Sequence, residues 1–529
     1  MSRTTRPPAD RGDDLVQVAK GAGFLAGGTA FSSVVRLVAA LLLARWLGAE
    51  SYGLYILTIS VGFAASSFAS LGLDVAMERF IAVFTRRGDE VGARGALQVG
   101  VVGTLIPVLL IAVGIAVFAD TIALRVFDEA DLTPLLALSA AMAVTIAMGT
   151  LLKAVLVGCK RIDQSALADH VIQPVSRLAF LLLLAPVGMT PALAGIAFLL
   201  SYLVSIGAML AFIDRRIPLA SLPQPARRDV REIGAFAFPF WLTGFFRILR
   251  TRIQPLLLGV VSTAASVGIF SVVTSASALG RLANASINTA LRPTLAQLHD
   301  IGDSSEVGRL YVTTTRWTLS VSLPVFVFMA LTSDSLLNLF GSSFTAGATA
   351  LVIASSAEVV NASTGMCGAI IAMSPYNKLK VANATAWMVI SLAANVIMIP
   401  LWGVTGAAIA ILVSTVLINL IRVVQLWVIM RILPWDRHSW KPFAAALGSA
   451  TVAWPLVAAL PDPLGPALLA VVAIVIGVVF VALIAVLRLE PDDRRVLDRV
   501  VQRARGVLDR VRHRSGKGSG EREVPVPWN

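Results

Sequence analysis

Residues 51–55 read Ser-Tyr-Gly-Leu-Tyr, and the pattern returns in the second half of the chain as Ser-Val-Gly-Ile-Phe at 266–270. Further matches follow in the same order and at nearly the same spacing: Glu-Val-Gly at 90–92 and 306–308, and an apolar run ending in serine at 195–201 and 408–414. Matches that keep one order and nearly one spacing are typical of an internal duplication. We therefore predict two similar halves within one chain.

The composition excludes a water-soluble protein. Of the 529 residues, 57% are hydrophobic and 14% are charged, and the mean hydropathy is +0.81. Soluble domains are about 45–50% apolar and about 25% charged. The same hydrophobicity excludes a disordered chain, and two cysteines, Cys159 and Cys367, exclude a disulfide framework or a zinc site.

Fourteen apolar stretches are long enough to cross a bilayer as helices, for which about 20 residues suffice. They lie near 21–44, 53–76, 95–118, 132–156, 165–187, 191–213, 235–258, 264–288, 310–333, 346–373, 380–400, 404–429, 443–460 and 465–487. We therefore predict an all-α integral membrane protein with 14 transmembrane helices.

The duplication places six of these helices in each half. Because six is even, both halves cross the membrane in the same direction, which predicts two six-helix lobes related by a pseudo-two-fold axis along the membrane normal. Two extra helices follow at the C-terminal end. The predicted parts are an N-terminal tail (1–20), an N-lobe (21–213), a basic linker (214–234), a C-lobe (235–429), the extra helices (430–487) and a basic tail containing an amphipathic helix (488–529).

The basic residues predict the orientation. Thirty-four of the 44 Lys and Arg residues fall on the side of the two termini, and the opposite loops hold only Arg45 and Arg125. Cytoplasmic loops carry the Lys and Arg excess, so we predict a multi-pass protein of the cytoplasmic (inner) membrane with both termini cytoplasmic. This distribution accounts for the net charge of +13, and no nucleic-acid partner is predicted.

Several short motifs resemble one transporter family. Residues 41–48 read Leu-Leu-Leu-Ala-Arg-Trp-Leu-Gly, followed by Tyr-Gly-Leu-Tyr at 52–55, and resemble the first loop of the polysaccharide transporter (Wzx-like) family. Leu-Gly-Leu at 71–73, Leu-Leu-Leu-Gly at 256–259 and Leu-Phe-Gly at 339–341 also fit its pattern. The resemblance covers roughly residues 20–430.

This family lies within the multidrug/oligosaccharidyl-lipid/polysaccharide exporter superfamily, so the resemblance implies a two-lobed, V-shaped fold that works by alternating access. For the Wzx-like branch it implies flipping of a polyprenyl-diphosphate-linked oligosaccharide from the cytoplasmic to the outer leaflet. Candidate partners are then a polysaccharide polymerase and glycosyltransferases. The resemblance supplies no catalytic residue, metal or cofactor.

Arginine dominates the charges within the predicted helices. Buried charges are costly in a bilayer and face protein or water, which points to a role. In the repeat, position 36 corresponds to a position between Arg250 and Arg252, so both lobes place arginine at similar depth. Guanidinium groups bind phosphate oxygens in a bidentate manner. We predict a basic chamber that binds the anionic headgroup through Arg36, Arg177, Arg247, Arg250, Arg252 and Arg281.

Other intramembrane charges have simpler interpretations. Arg316 and Arg422 lie near cytoplasmic helix ends and can snorkel to the interface. Arg177 has an alternative role as an ion-pair partner of Asp169 or Glu358. Arg252 is expected to turn away from the face shared by Arg247 and Arg250. Candidate residues for ion coupling are Glu358, Asp169 and His170.

Three alternatives to this flippase remain open. An ion-coupled multidrug exporter (MATE-like) needs acidic residues in its pocket, and Glu358 is nearly alone in the predicted chamber. A lipid II (MurJ-like) flippase carries a related anionic lipid. A membrane scaffold for glycan synthesis would leave the buried arginines without a purpose. No nucleotide-binding or hydrolase motif occurs in the sequence, so we predict a transporter driven by an ion gradient, the membrane potential or downstream consumption of its product.

Overall fold

The computed structural model describes residues 9–215, 229–281, 304–373, 377–461 and 463–487. These residues form helices and turns, and no strand occurs among them, which confirms the all-α prediction. The α-helices are α1 (Ala9–Ala69), α2 (Leu73–Arg87), α3 (Glu90–Val117), α4 (Ala119–Arg125), α5 (Thr133–Gly158), α6 (Ile162–Leu167), α7 (Gln173–Leu184), α8 (Pro191–Asp214), α9 (Val230–Val261), α10 (Ala264–Arg281), α11 (Ser304–Leu331), α12 (Ser333–Asn338), α13 (Ala348–Ser363), α14 (Cys367–Met373), α15 (Asn377–Met430), α16 (Lys441–Ala459) and α17 (Pro466–Val486). The amphipathic helix predicted in 488–529 lies outside the described residues.

Eleven helical segments of the described chain are long and apolar enough to cross a membrane. Two of them, Phe31–Ala69 with 39 residues and Leu379–Met430 with 52, far exceed one crossing. Each contains a glycine in the left-handed region, Gly48 with φ of 72° and Gly403 with φ of 53°. Because glycine has no Cβ, it adopts this conformation without strain. Both long helices therefore bend sharply at one residue, and the segment count differs from the predicted fourteen.

Helix boundaries recur along the chain. Gly188 ends the helical stretch after α7 with φ of 91°, and Gly403 occupies the corresponding position in the second half. This spacing matches that of the sequence repeat.

The two copies of the repeated motif lie against each other. A Cβ placed on Gly53 of α1 would lie 1.7 Å from the carbonyl oxygen of Ala264, and one on Gly268 of α10 would lie 2.1 Å from that of Ala49. The two helices therefore touch through their backbones. The backbone N–H of Ala264 also donates to Glu129 Oε1 at 3.0 Å, which holds the start of α10 at this crossing.

The C-terminal helices α16 and α17 pack on α11. They share with it a buried apolar cluster that includes Leu319, Leu323, Ala453, Val472 and Phe480. This packing fixes the extra pair of helices against the C-terminal half of the chain.

An ion pair between a buried arginine and an exposed loop carboxylate ties the loop before α16 to α11. Arg316 Nη1 lies 2.6 Å from Asp436 Oδ2, and Arg316 is buried, so its guanidinium reaches an exposed residue of the loop; that Arg316 snorkels to the membrane interface stays a prediction. Burial raises the pKa of Asp436, but the hydrogen bond from Ser439 and the charge of Arg316 outweigh it and leave that pKa below its ordinary value. Asp436 therefore remains ionised at neutral pH and keeps Arg316 paired.

Replacing Gly53 by alanine should lower stability, because the added methyl group must push α1 and α10 apart. Overpacking of this kind costs about 1–3 kcal/mol. Gly207→Ala is the matched control, since a Cβ there meets nothing within 4 Å. The thermal unfolding of the purified protein measures both, and equal melting temperatures for Gly53→Ala and Gly207→Ala would contradict the contact.

Candidate functional site

A cavity of about 410 Å³ lies among the helices of the N-terminal half and α9. Its charged lining comprises Asp74 and Glu78 of α2, Lys153 of α5, Asp169, and Arg252 of α9. The described lining thus holds three carboxylates and two cations, whereas the sequence predicted a predominantly positive chamber. The cavity offers binding groups for both signs of charge.

The helix α9 reaches this cavity because of a close contact at the turn between α1 and α2. Gly72 in that turn has φ of 76°, and a Cβ on it would lie 2.2 Å from the carbonyl oxygen of Ala237. The indole N–H of Trp241 donates to the carbonyl oxygen of Phe68 at 3.1 Å. These contacts hold α9 against the N-terminal half, so that a later turn of α9 borders the cavity.

Arg252 is the arginine of α9 whose described side chain lines the cavity. Its guanidinium lies 4.2 Å from the centre of the Phe63 ring, where the negative ring face attracts the cation. The expectation that Arg252 turns away from the face of Arg247 and Arg250 stays a prediction. The side chains of Arg247 and Arg250 lie outside those that the structure describes.

Arg177 contacts the same aromatic group from α7. It donates a hydrogen bond to the Tyr55 hydroxyl and lies 5.3 Å from the centre of the Phe198 ring, which itself stands 6.2 Å from the Phe63 ring. The alternative ion pair of Arg177 with Asp169 or Glu358 is absent among the described contacts. Its buried Nε has no hydrogen-bond partner there.

Asp169 and His170 lie on a π-helix, Ala168–Ile172, a distortion that is common at functional sites. Lys153 Nζ lies 2.5 Å from Asp169 Oδ2, and His170 Nε2 lies 3.9 Å from the same oxygen. Arg36 Nη2 donates to the backbone oxygen of Asp169 at 3.4 Å. Three predicted site residues therefore meet at one place beside the cavity.

Lys153 is the site residue that the sequence analysis missed. The charge pattern places it among the cytoplasmic cations, yet it lies inside α5 and faces the cavity. The signal was present, because the predicted helix 132–156 already includes this position. A lysine near the end of an apolar helix is typical of a cytoplasmic helix end. The sequence pattern alone therefore does not indicate that this side chain also lines a cavity.

Arg281 and Glu358 form a separate pair. Arg281 Nη1 lies 3.0 Å from Glu358 Oε1, and neither residue lines the described cavity. The structure therefore does not bring Arg281 together with the other predicted headgroup residues, and it gives Arg281 a carboxylate partner. Glu358, a candidate for ion coupling, likewise lies apart from the other two candidates, Asp169 and His170.

Arg281→Ala should destabilise the protein more than Glu358→Gln. The Glu358 side chain is 11% exposed and the Arg281 side chain 52%, so removal of Arg281 leaves a buried carboxylate without its partner at a cost of about 1–3 kcal/mol. Thermal unfolding checks the order. Arg309→Ala, which breaks the exposed pair with Glu306, is the control with an expected cost of about 0–1 kcal/mol. Equal losses for Arg281→Ala and Arg309→Ala would contradict the assignment.

Comparisons with known proteins identify the family. A family model described as polysaccharide biosynthesis protein matches residues 18–299, more than half of the chain. The curated protein "Probable flippase AglR" of Haloferax volcanii is 26% identical over 208 residues, which cover 38% of this chain and 43% of that protein. The match therefore spans less than half the length of this relative.

Two groups of solved structures share the fold. The lipid II flippase MurJ in an inward closed conformation has a TM-score of 0.66 at 15% identity, with 87% of this chain and 98% of that chain covered. An inward-facing multidrug resistance MATE family transporter of the MOP superfamily has a TM-score of 0.61 at 15% identity, covering 76% and 94%. At such identities the likeness establishes the fold alone. The chain is thus a multi-pass membrane protein that belongs to the polysaccharide biosynthesis protein family and has the fold of MOP-superfamily transporters.

Proposed function

We propose that the protein is a flippase that moves a polyprenyl-diphosphate-linked oligosaccharide, a precursor of cell-surface polysaccharide, across the cytoplasmic membrane by alternating access. One observation carries the proposal. The guanidinium groups of Arg252 and Arg177 are held against one aromatic group, and neither has a carboxylate partner among the described residues. The charge of Arg252, which lines the cavity, is therefore available to an anionic headgroup, and Arg177 lies behind the same aromatic group.

The chemistry of the headgroup fits this site. A diphosphate must leave water to cross the bilayer, and guanidinium groups compensate it because they stay charged when desolvated and form paired hydrogen bonds to phosphate oxygens. The aromatic rings orient Arg252 without occupying its N–H donors. A volume of about 410 Å³ lies in the range of small-molecule sites, so the cavity holds the polar headgroup while the lipid tail stays in the bilayer.

The positions of the other predicted arginines decide how far each one supports the proposal. Arg36 lies beside the cavity through its contact with Asp169. Arg247 and Arg250 belong to α9, which also carries Arg252, and we assign them to the path of the headgroup along this helix. Arg281 has less support, because it pairs with Glu358. Asp169 and His170 remain the candidates for ion coupling.

The architecture that we propose has fourteen crossings in two six-helix lobes, residues 21–213 and 235–429, with both termini cytoplasmic. The positive-φ glycines Gly188 and Gly403, which lie one repeat length apart, support the duplication. The contact of Gly53 with α10 would lie near the outer surface, where it closes the lobes and leaves the cavity accessible from the cytoplasm. Alternating access then requires this contact to open. A polysaccharide polymerase and glycosyltransferases are candidate partners on the two sides.

A second candidate is an ion-coupled multidrug exporter. Asp74, Glu78 and Asp169 line the cavity, which supplies more carboxylates than the sequence analysis expected and would attract a cationic drug. A flippase for lipid II is a third candidate, since that lipid also carries a polyprenyl diphosphate. The identity of the accumulating compound separates the three functions.

Arg252→Ala should lower export of the lipid-linked glycan about 10–100-fold, because the loss of a charge-assisted hydrogen bond costs about 1.5–3 kcal/mol. The measurement is made in a strain that lacks the chromosomal gene and carries the variant, by quantifying polyprenyl-diphosphate oligosaccharide on the cytoplasmic side. Arg125→Ala, an exposed arginine of α4 outside the cavity lining, is the control and should export normally.

Three results would contradict the proposal. Normal export by Arg252→Ala at wild-type abundance would remove the headgroup site. Accumulation of lipid II in the deletion strain would favour the MurJ-like function. Loss of drug resistance without any lipid-linked intermediate would favour the exporter.

A further inference from the structure

Lys153 is a cation of the described cavity lining that a carboxylate already holds. Its Nζ lies 2.5 Å from Asp169 Oδ2, and both residues line the cavity. The side chain of Lys153 is 42% exposed and that of Asp169 is 28% exposed, so the ion pair is open to the contents of the cavity. An anion that enters the cavity therefore meets Lys153 bound to Asp169.

The two cations of the described lining are held in different ways. Arg252 lies 4.2 Å from the centre of the Phe63 ring, and a ring face attracts a guanidinium without taking its N–H donors. Lys153 instead uses one of its three N–H donors on a carboxylate. A lysine ammonium is a compact charge on a flexible stem of four carbons. Lys153 can therefore change its partner by rotating its side chain, whereas Arg252 stays on its ring.

Asp169 has other compensating groups nearby when Lys153 turns away. Arg36 of α1 donates from Nη2 to the backbone oxygen of Asp169 at 3.4 Å, and its charge also acts on the Asp169 carboxylate. His170 Nε2 lies 3.9 Å from Asp169 Oδ2. An isolated charge is costly inside a membrane protein, but this carboxylate does not become isolated. The release of Lys153 is therefore a change of partner for Asp169 as well.

A diphosphate competes well with the carboxylates that attract Lys153. Asp169 binds the ammonium directly, and Glu78 of α2 attracts it as well. A diphosphate carries more negative charge than a single carboxylate, and lysine binds phosphate groups as a point charge. Lys153 and Arg252 line the same cavity, which has a volume of about 410 Å³. A headgroup bound by Arg252 therefore comes within the reach of Lys153.

We propose that Lys153 is a headgroup-binding residue that Asp169 occupies until the lipid-linked diphosphate displaces it. The diphosphate then lies between Lys153 of α5 and Arg252 of α9, and the Asp169 carboxylate turns towards Arg36 and His170. Asp169 lowers the affinity for the anion because it competes for the same ammonium. The inference rests on the proposed flippase function and adds a second headgroup residue together with its competitor.

The test is a binding measurement with the purified full-length protein in lipid nanodiscs, and polyprenyl diphosphate is the probe. Lys153→Gln should bind the probe about tenfold or more weakly, because a hydrogen bond to a charged group is lost. Asp169→Asn should bind it about two- to fivefold more tightly, since a partly exposed ion pair no longer has to be broken. An ion pair that only stabilises the fold would not give effects of opposite sign.

The double variant Lys153→Gln with Asp169→Asn should bind as weakly as Lys153→Gln, because Asp169 acts on the anion through Lys153. If Lys153→Gln does not fold, the comparison of the double variant with Asp169→Asn measures the contribution of Lys153 without leaving a carboxylate unpaired. Lys160→Gln and Asp163→Asn are the matched controls. Both residues are exposed and lie outside the described cavity lining, so these variants should keep the wild-type affinity.

The outcomes separate the two proposals. If removal of the Lys153 charge leaves the affinity unchanged, or if Asp169→Asn does not tighten binding, the exchange of partners is wrong and the flippase proposal stands. The same holds if Asp169→Asn tightens binding equally in the Lys153→Gln background, since Asp169 would then repel the anion directly. If the wild type does not bind polyprenyl diphosphate, or if Arg252→Ala binds it equally well, the headgroup site itself is wrong.

Discussion

The helices of this protein are held together by close approach of their backbones. Lipid tails are as apolar as leucine, so helices in a bilayer associate through tight packing and hydrogen bonds, and small residues at the crossing allow the approach. Gly53 and Gly268 bring α1 and α10 into backbone contact, and Gly72 does the same for the turn before α2 and α9. The position of α9, and with it the cavity that Arg252 lines, follows from these contacts.

The charged groups of the protein are stabilised in two different ways. Arg316 is matched with Asp436 and Arg281 with Glu358, so these cations are compensated within the protein. Arg252 and Arg177 are held on aromatic rings, which stabilise a cation by about 0.5–2 kcal/mol and leave hydrogen-bond donors unused. This contrast separates cations that are paired with carboxylates from cations that are held on aromatic rings.

The sequence predicted the components of the candidate site better than their arrangement. It identifies Arg36, Arg177, Arg252, Asp169 and His170, because charges inside apolar helices are conspicuous. It does not identify their partners. Asp169 pairs with Lys153 rather than Arg177, and Asp74 and Glu78 join the cavity lining, because a glycine turn at 71–72 redirects α2 in a way that a straight-helix pattern does not show.

Hydropathy was sufficient to predict an all-helical membrane protein, and short sequence motifs were sufficient to predict its family. Both are local properties of the chain, and a bilayer permits few alternatives to helices for an apolar sequence. Which charges face one another emerged only from the folded arrangement. A side chain's direction depends on helix bends at single glycines and on the rotation of each helix against its neighbours. The periodicity of the sequence predicts neither of them. That is why the predicted basic chamber became a cavity whose described lining combines Arg252 and Lys153 with the carboxylates of Asp74, Glu78 and Asp169.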